Sequence, residues 1–169
     1  MLDSRDTMIR EHLPKRAVVA EVGVDAGDNA RTILEGAEPQ ELHLIDLDFS
    51  GLKRHGIEPA LREGFVRLHE KDSAAALASF PDEYFDWIYI DGDHSYPGVK
   101  RDIEEAKRAV KTDGLLVFND YIIYSYVHLV RFGVVDAVNE LCVAEDWEVR
   151  FFALSPWMYC DVALARRAG

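Results

Sequence analysis

The chain has 169 residues and a mass of 19.2 kDa, the size of one domain with a sizeable core but no room for a separate substrate domain. Thirty-one Asp and Glu against nineteen Lys and Arg leave a formal charge of -12, which repels nucleic-acid backbones and anionic lipid over most of the surface. Neither is expected as a partner, and a hydrophobic content of 49% excludes a disordered acidic tail.

Residues 1–16 form a short polar N-terminal segment. Strand-like runs follow at residues 17–24, 41–48, 65–71, 85–91 and 114–119. Trp87-Ile88-Tyr89-Ile90 and Leu115-Leu116-Val117-Phe118 are continuously apolar, as strands covered on both faces should be. The clearest helix spans 95–111: Val99, Ile103, Ala106 and Val110 share one face, Ser95 caps the start, Pro97 suits the first turn and Gly114 follows the end. A further helix is expected over 134–145, with Val135, Val138, Leu141 and Cys142 as its buried stripe. Strand runs 147–154 and 159–166, joined by the turn Ser155-Pro156-Trp157-Met158, require antiparallel pairing. Five βα units and a terminal hairpin predict an α/β fold: a doubly wound, Rossmann-like, mostly parallel seven-stranded sheet with an antiparallel C-terminal hairpin.

The two cysteines have no metal-ligand spacing, the N-terminus has no apolar leader, and the greasy stretch 121–135 is interrupted by His128 and Arg131. The expectation is an unprocessed cytoplasmic protein.

In such sheets ligands bind beyond the carboxyl ends of the strands. The first strand ends in Glu21-Val22-Gly23-Val24-Asp25-Ala26-Gly27. Counted from Gly23, the second and third glycines of a dinucleotide fingerprint are Asp25 and Asp28, so a pyrophosphate is disfavoured and a cationic ligand is tolerated. Asp46, followed by Leu47 and Asp48, stands 23 residues beyond Gly23, about where a ribose-binding carboxylate is expected. Asp72-Ser73 ends the third strand and reads either as a contact for an exocyclic amine or as a helix cap. Asp91, Asn119 and Asp120 lie at the ends of neighbouring strands, where hard oxygen ligands suit Mg²⁺, Mn²⁺ or Ca²⁺; the same sequences are also common in turns.

Together with Ile90-Asp91-Gly92-Asp93-His94-Ser95-Tyr96 and Val117-Phe118-Asn119-Asp120-Tyr121, these strand ends resemble a class I S-adenosylmethionine-dependent methyltransferase. The nearest likeness is to the branch with macrocin O-methyltransferase and cephalosporin hydroxylase-type proteins. The resemblance implies S-adenosylmethionine as cofactor, held by Glu21, Gly23, Val24, Asp25, Gly27, Asp46, Leu47, Asp72, Ser73 and Asp91. It further implies a divalent ion on Asp91, Asn119 and Asp120, and Asp93 or His94 as base for O-methylation of a small-molecule acceptor. In that scheme residues 17–121 form the cofactor-binding core, 122–133 a substrate loop or lid rich in tyrosine, and 134–169 the closing helix and hairpin. N-terminal helices that cover the substrate are expected to be missing or reduced, which leaves room for a homodimer in which a second copy supplies a wall. A metal-independent methyltransferase and a non-catalytic nucleoside-binding domain remain open as alternatives.

Overall fold

The computed structural model describes residues 1–167; Ala168 and Gly169, the last two of the expected closing segment, lie outside the described residues. The expected parallel strands are β1 (Val18–Val22), β2 (Glu41–Asp46), β3 (Val66–Glu70), β4 (Phe85–Ile90) and β5 (Val110–Phe118). After a two-stranded excursion, β6 (Tyr124–Ser125) and β7 (Val130–Arg131), the hairpin β8 (Trp147–Ala153) and β9 (Asp161–Arg166) completes a seven-stranded sheet ordered β3-β2-β1-β4-β5-β9-β8. Strands β1 to β5 pair in parallel, while β9 runs antiparallel to both β5 and β8. The chain starts in mid-sheet, moves outward to β3 and returns to β4, so the order reverses between β1 and β4.

The helices are α1 (Arg5–Thr7), α2 (Asp28–Ala37), α3 (Glu58–Glu63), α4 (Ser73–Leu77), α5 (Tyr96–Ala109) and α6 (Val134–Ala144), with a π turn over Met8–His12 after α1. They cover both faces of the sheet, which is why the strands are apolar without alternation. Ile88 and Ile90 enter the layer that contains Val99, Ile103, Val138 and Leu141. Trp87 and Tyr89, on the opposite face, join Met8, Ile9, Ile33 and Ile57. The N-terminal segment is thus built into the core.

Two details differ from the pattern expected. On α6 the buried face is Val134, Ala137, Val138 and Leu141, and Cys142 is only partly buried at the edge of the core. The stripe is shifted by one residue, with Val134 and Ala137 buried and Val135 only partly so. Strand β5 follows α5 without a turn: Val110 pairs with Phe85 and Leu115 with Trp87, so residues 111–114 bulge out. Gly114 lies within this bulge and does not end the helix. A Cβ there would lie 2.6 Å from the Asp86 carbonyl oxygen.

Candidate active site

At the reversal in strand order, the loop after β1 passes over the end of β4. Gly23 has φ +79°, and a Cβ on it would lie 2.0 Å from the Asp91 carbonyl oxygen, so only glycine permits this approach. The loop is held by Asp46, whose Oδ2 accepts from the backbone N–H groups of Val24 at 2.7 Å and Asp25 at 3.0 Å. The result is a cleft of about 640 Å³ at the strand ends, lined by seven carboxylates and three cations. Glu21, Gly23, Val24, Asp25, Asp46, Leu47, Asp72, Ser73 and Asp91 all line it, while Gly27 stands behind as the residue that starts α2.

Glu21 is fully buried. Its Oε1 accepts from Asn29 Nδ2 at 2.9 Å, and its Oε2 has no partner. Burial raises its carboxyl to about 8, against the lowering effects of Asn29 and Arg5. Asp72 caps α4 by accepting from Ala75 N at 3.1 Å and pairs with Arg101 at 3.3 Å, so the capping role holds although the residue faces the cleft. Ser73 Oγ donates to the buried Asp102.

A second pocket of about 230 Å³ adjoins the first between the N-terminal segment, the end of β5 and the β8–β9 turn. Arg5 lines both. Its guanidinium donates to Tyr89 Oη at 3.1 Å and lies 3.9 Å from Asp161. Tyr89 Oη donates to Asp161 Oδ2 at 2.7 Å, and Asn119 Nδ2 donates to Tyr89 Oη and to Asp161 Oδ1, both at 3.2 Å. Burial raises Asp161 to about 6, although Tyr89 and Arg5 act the other way. Sequence reasoning missed Arg5, Tyr89 and Asp161. Tyr89 lies inside an apolar strand run, and no spacing connects Arg5 to a residue 84 positions away.

The expected divalent-ion site is not assembled. Asn119 turns its amide nitrogen into the Tyr89–Asp161 network, while its carbonyl oxygen, the atom an ion would take, is not engaged by those two bonds. Between the other two candidates stands an imidazole: His94 Nε2 lies 3.4 Å from Asp91 Oδ1 and 3.7 Å from Asp120 Oδ2. Among the described residues, no group of three or more His, Cys, Asp or Glu side chains is placed to hold a metal ion. With His94 standing between Asp91 and Asp120, the expected ion is not supported at this set. Burial raises both Asp91 and Asp120, Asp120 adds to the rise at Asp91, and burial lowers His94.

Of the two expected bases, Asp93 is engaged in a turn: its Oδ1 accepts from Ser95 N at 2.8 Å and its Oδ2 from Ser95 Oγ at 2.9 Å. His94 stacks on Phe132 at 4.5 Å, which assigns Phe132 to covering the imidazole and leaves only part of the 122–133 loop to face a ligand. His128 is exposed on that loop.

A glycine-bridged strand reversal, a carboxylate brace after β2 and a cation-seeking cleft free of any phosphate loop define a class I methyltransferase architecture. A family model described as "Methyltransferase domain" matches residues 20–121, and the chain belongs to that family. No curated protein matches the sequence. Among solved structures, the pyocyanin biosynthetic protein PhzM is similar with a TM-score of 0.72 and 17% identity over 96% of this chain and 54% of that one. The chain thus spans about half the length of PhzM. The 1,6-didemethyltoxoflavin-N1-methyltransferase of Burkholderia thailandensis, solved with S-adenosylhomocysteine, gives a TM-score of 0.68 and 17% identity over 97% of this chain and 76% of that one. A putative rRNA methylase of Clostridium thermocellum gives 0.69 and 12% over 99% of each chain. At these identities the likeness concerns the fold. Among the described residues, no helix is long and apolar enough to cross a membrane.

Proposed function

We propose that the protein transfers a methyl group from S-adenosylmethionine to an oxygen of a small molecule by direct displacement. The observation that carries this reading is Glu21, a buried carboxylate with one unpartnered oxygen on a cleft of nucleoside size. Such a group awaits a cation, and the ammonium of this cofactor supplies one. In this reading Asp46 takes the ribose hydroxyls, Asp72 and Ser73 meet the edge of the adenine, and Leu47, exposed on the rim, meets its face; that all four line the cleft supports it. Val24, Asp25 and Gly27 shape the backbone around the methionine portion.

When bound, the cofactor offers a methyl carbon on a positively charged sulfur. In this reading Asp120 takes the acceptor's proton; that it lines the adjoining pocket supports the assignment. His94 Nε2 lies between Asp91 and Asp120 with no hydrogen-bond partner of its own, and in this reading its imidazole acts as a positioning residue that sets the spacing of the two carboxylates. The acceptor oxygen bonds to the methyl carbon as the carbon–sulfur bond breaks and its electron pair returns to sulfur, while the hydroxyl proton passes to Asp120. The sequence block from Ile90 to Tyr121 supports the macrocin-type branch within this reading.

Calorimetry with S-adenosylhomocysteine tests the cofactor, and transfer of labelled methyl groups into a mixed metabolite extract tests turnover. Saturable binding with incorporation is expected. The absence of saturable binding overturns the reading.

A further inference from the structure

Beyond the inner pocket, the loop after β5 and the β8–β9 turn form a third cavity of about 240 Å³, lined by Ile123, Tyr124, Tyr126, Trp157, Met158 and Tyr159 among others. Tyr159 also lines the inner pocket, so one aromatic ring is the wall common to both. That ring is fixed: its hydroxyl shares a hydrogen bond with Ser125 Oγ at 3.0 Å and accepts from Val127 N at 3.1 Å. Tyr121 N donates to Cys160 O at 2.6 Å, a further staple between the two loops. The cavity is therefore preformed.

Its chemistry departs from the rest of the molecule. In a chain with thirty-one acids, residues 121–130 and 154–160 contain no Asp, Glu, Lys or Arg. Trp157 is 79% exposed and Tyr126 68%, a degree of exposure that costs free energy unless something uncharged covers them. A second copy of the chain would need roughly 800 Å² of apposed surface per partner, whereas a small concavity suits a ring. Size gives the same answer: small-molecule sites run from about 300 to 1,000 Å³, and neither pocket alone reaches that range while the two joined at Tyr159 do.

We propose that the two pockets form one acceptor groove, and that the acceptor carries a flat, uncharged ring system in the outer half and presents its reacting hydroxyl to Asp120 in the inner half. This rests on the methyltransferase reading above and adds the acceptor's chemical class.

The test uses the full chain saturated with S-adenosylhomocysteine and two matched probes, 2-(2-naphthyl)ethanol and 2-ethylnaphthalene. The indole N–H signal of Trp157 in two-dimensional NMR, assigned with Trp157→Phe, is expected to move saturably with either probe while those of the buried Trp87 and Trp147 stay in place. Trp157→Ala and Tyr126→Ala should each weaken binding about tenfold, as the loss of one aromatic contact does. The alcohol should bind several-fold more tightly than the hydrocarbon, and Asp120→Asn should remove most of that preference.

An unmoved Trp157 signal, unchanged affinity in Trp157→Ala, or equal affinity for the two probes overturns the proposal. A dimer in sedimentation that Trp157→Ala dissolves, with no naphthyl binding, overturns it in favour of a subunit contact. Failure to bind S-adenosylhomocysteine at the outset refutes the cofactor reading and leaves naphthyl binding to be judged on the Trp157 signal, where an unmoved signal overturns the groove as well.

Discussion

Replacing Glu21 by Gln should stabilise the unliganded protein while it weakens cofactor binding. The carboxyl is fully buried and raised from 4.5 to about 8, with burial as the largest cause. In the unfolded chain it ionises near 4.5; in the folded chain it stays protonated until about 8, so the folded state is disfavoured increasingly across that window. At pH 7 the difference of about 2.5 units corresponds to roughly 3 kcal/mol, and below pH 4.5 it vanishes. Gln is neutral throughout and can still accept from Asn29. Thermal unfolding without ligand between pH 4 and 8 should therefore show Glu21→Gln melting several degrees above the parent at pH 7 to 8, with the two converging in acid. Calorimetry in buffers of different ionisation enthalpy should register close to one proton released when the parent binds S-adenosylhomocysteine at pH 7, and none for the variant, whose affinity falls at least tenfold. A variant less stable than the parent at pH 8, or equal proton release by both, would refute the reasoning.

Gly23→Ala places a methyl group 2.0 Å from the Asp91 carbonyl oxygen in a left-handed backbone, and should cost about 3 kcal/mol or more and abolish cofactor binding in calorimetry. Exhaustive chelation should leave methyl transfer within twofold, since the His94 nitrogen stands where the ion was expected, whereas Asp120→Asn should lower kcat about a hundredfold with S-adenosylhomocysteine affinity unchanged. Arg5→Met removes the guanidinium facing Asp161, so denaturant titrations should show a stability loss of about 1–2 kcal/mol that grows as the pH rises through 6, where Asp161 ionises.

The parallel strands and the hairpin were legible because a two-faced sheet imposes continuous apolar runs, and the cleft was legible because strand order brings the carboxyl ends of β1, β2 and β4 together. The list of cleft residues from Glu21 to Asp91 needed no knowledge of side-chain direction. The ligand set at Asp91, Asn119 and Asp120 did need it. Whether Asn119 turns towards Asp120 or towards Tyr89 depends on a partner, Asp161, that enters from a strand paired antiparallel to β5. The same holds for His94, whose position depends on Phe132 from the loop beyond β5. Local signals such as caps and periodicity reach four residues or so, and contacts such as Arg5 with Tyr89 lie outside their range.

The first residues of the chain also have a mechanical part. Leu2 pairs alongside Ala153 on the outer side of β8, the edge strand, through Leu2 N to Phe152 O at 2.8 Å and Leu154 N to Leu2 O at 3.0 Å. Three residues later the same segment delivers Arg5 to the acids between the two pockets. One short strap thus covers one end of the edge strand and sets a cation among the acids between the two pockets. A fusion or trim that disturbs it would loosen the end of the sheet and the lining of both pockets together, so poor behaviour of such a variant would say little about either one alone.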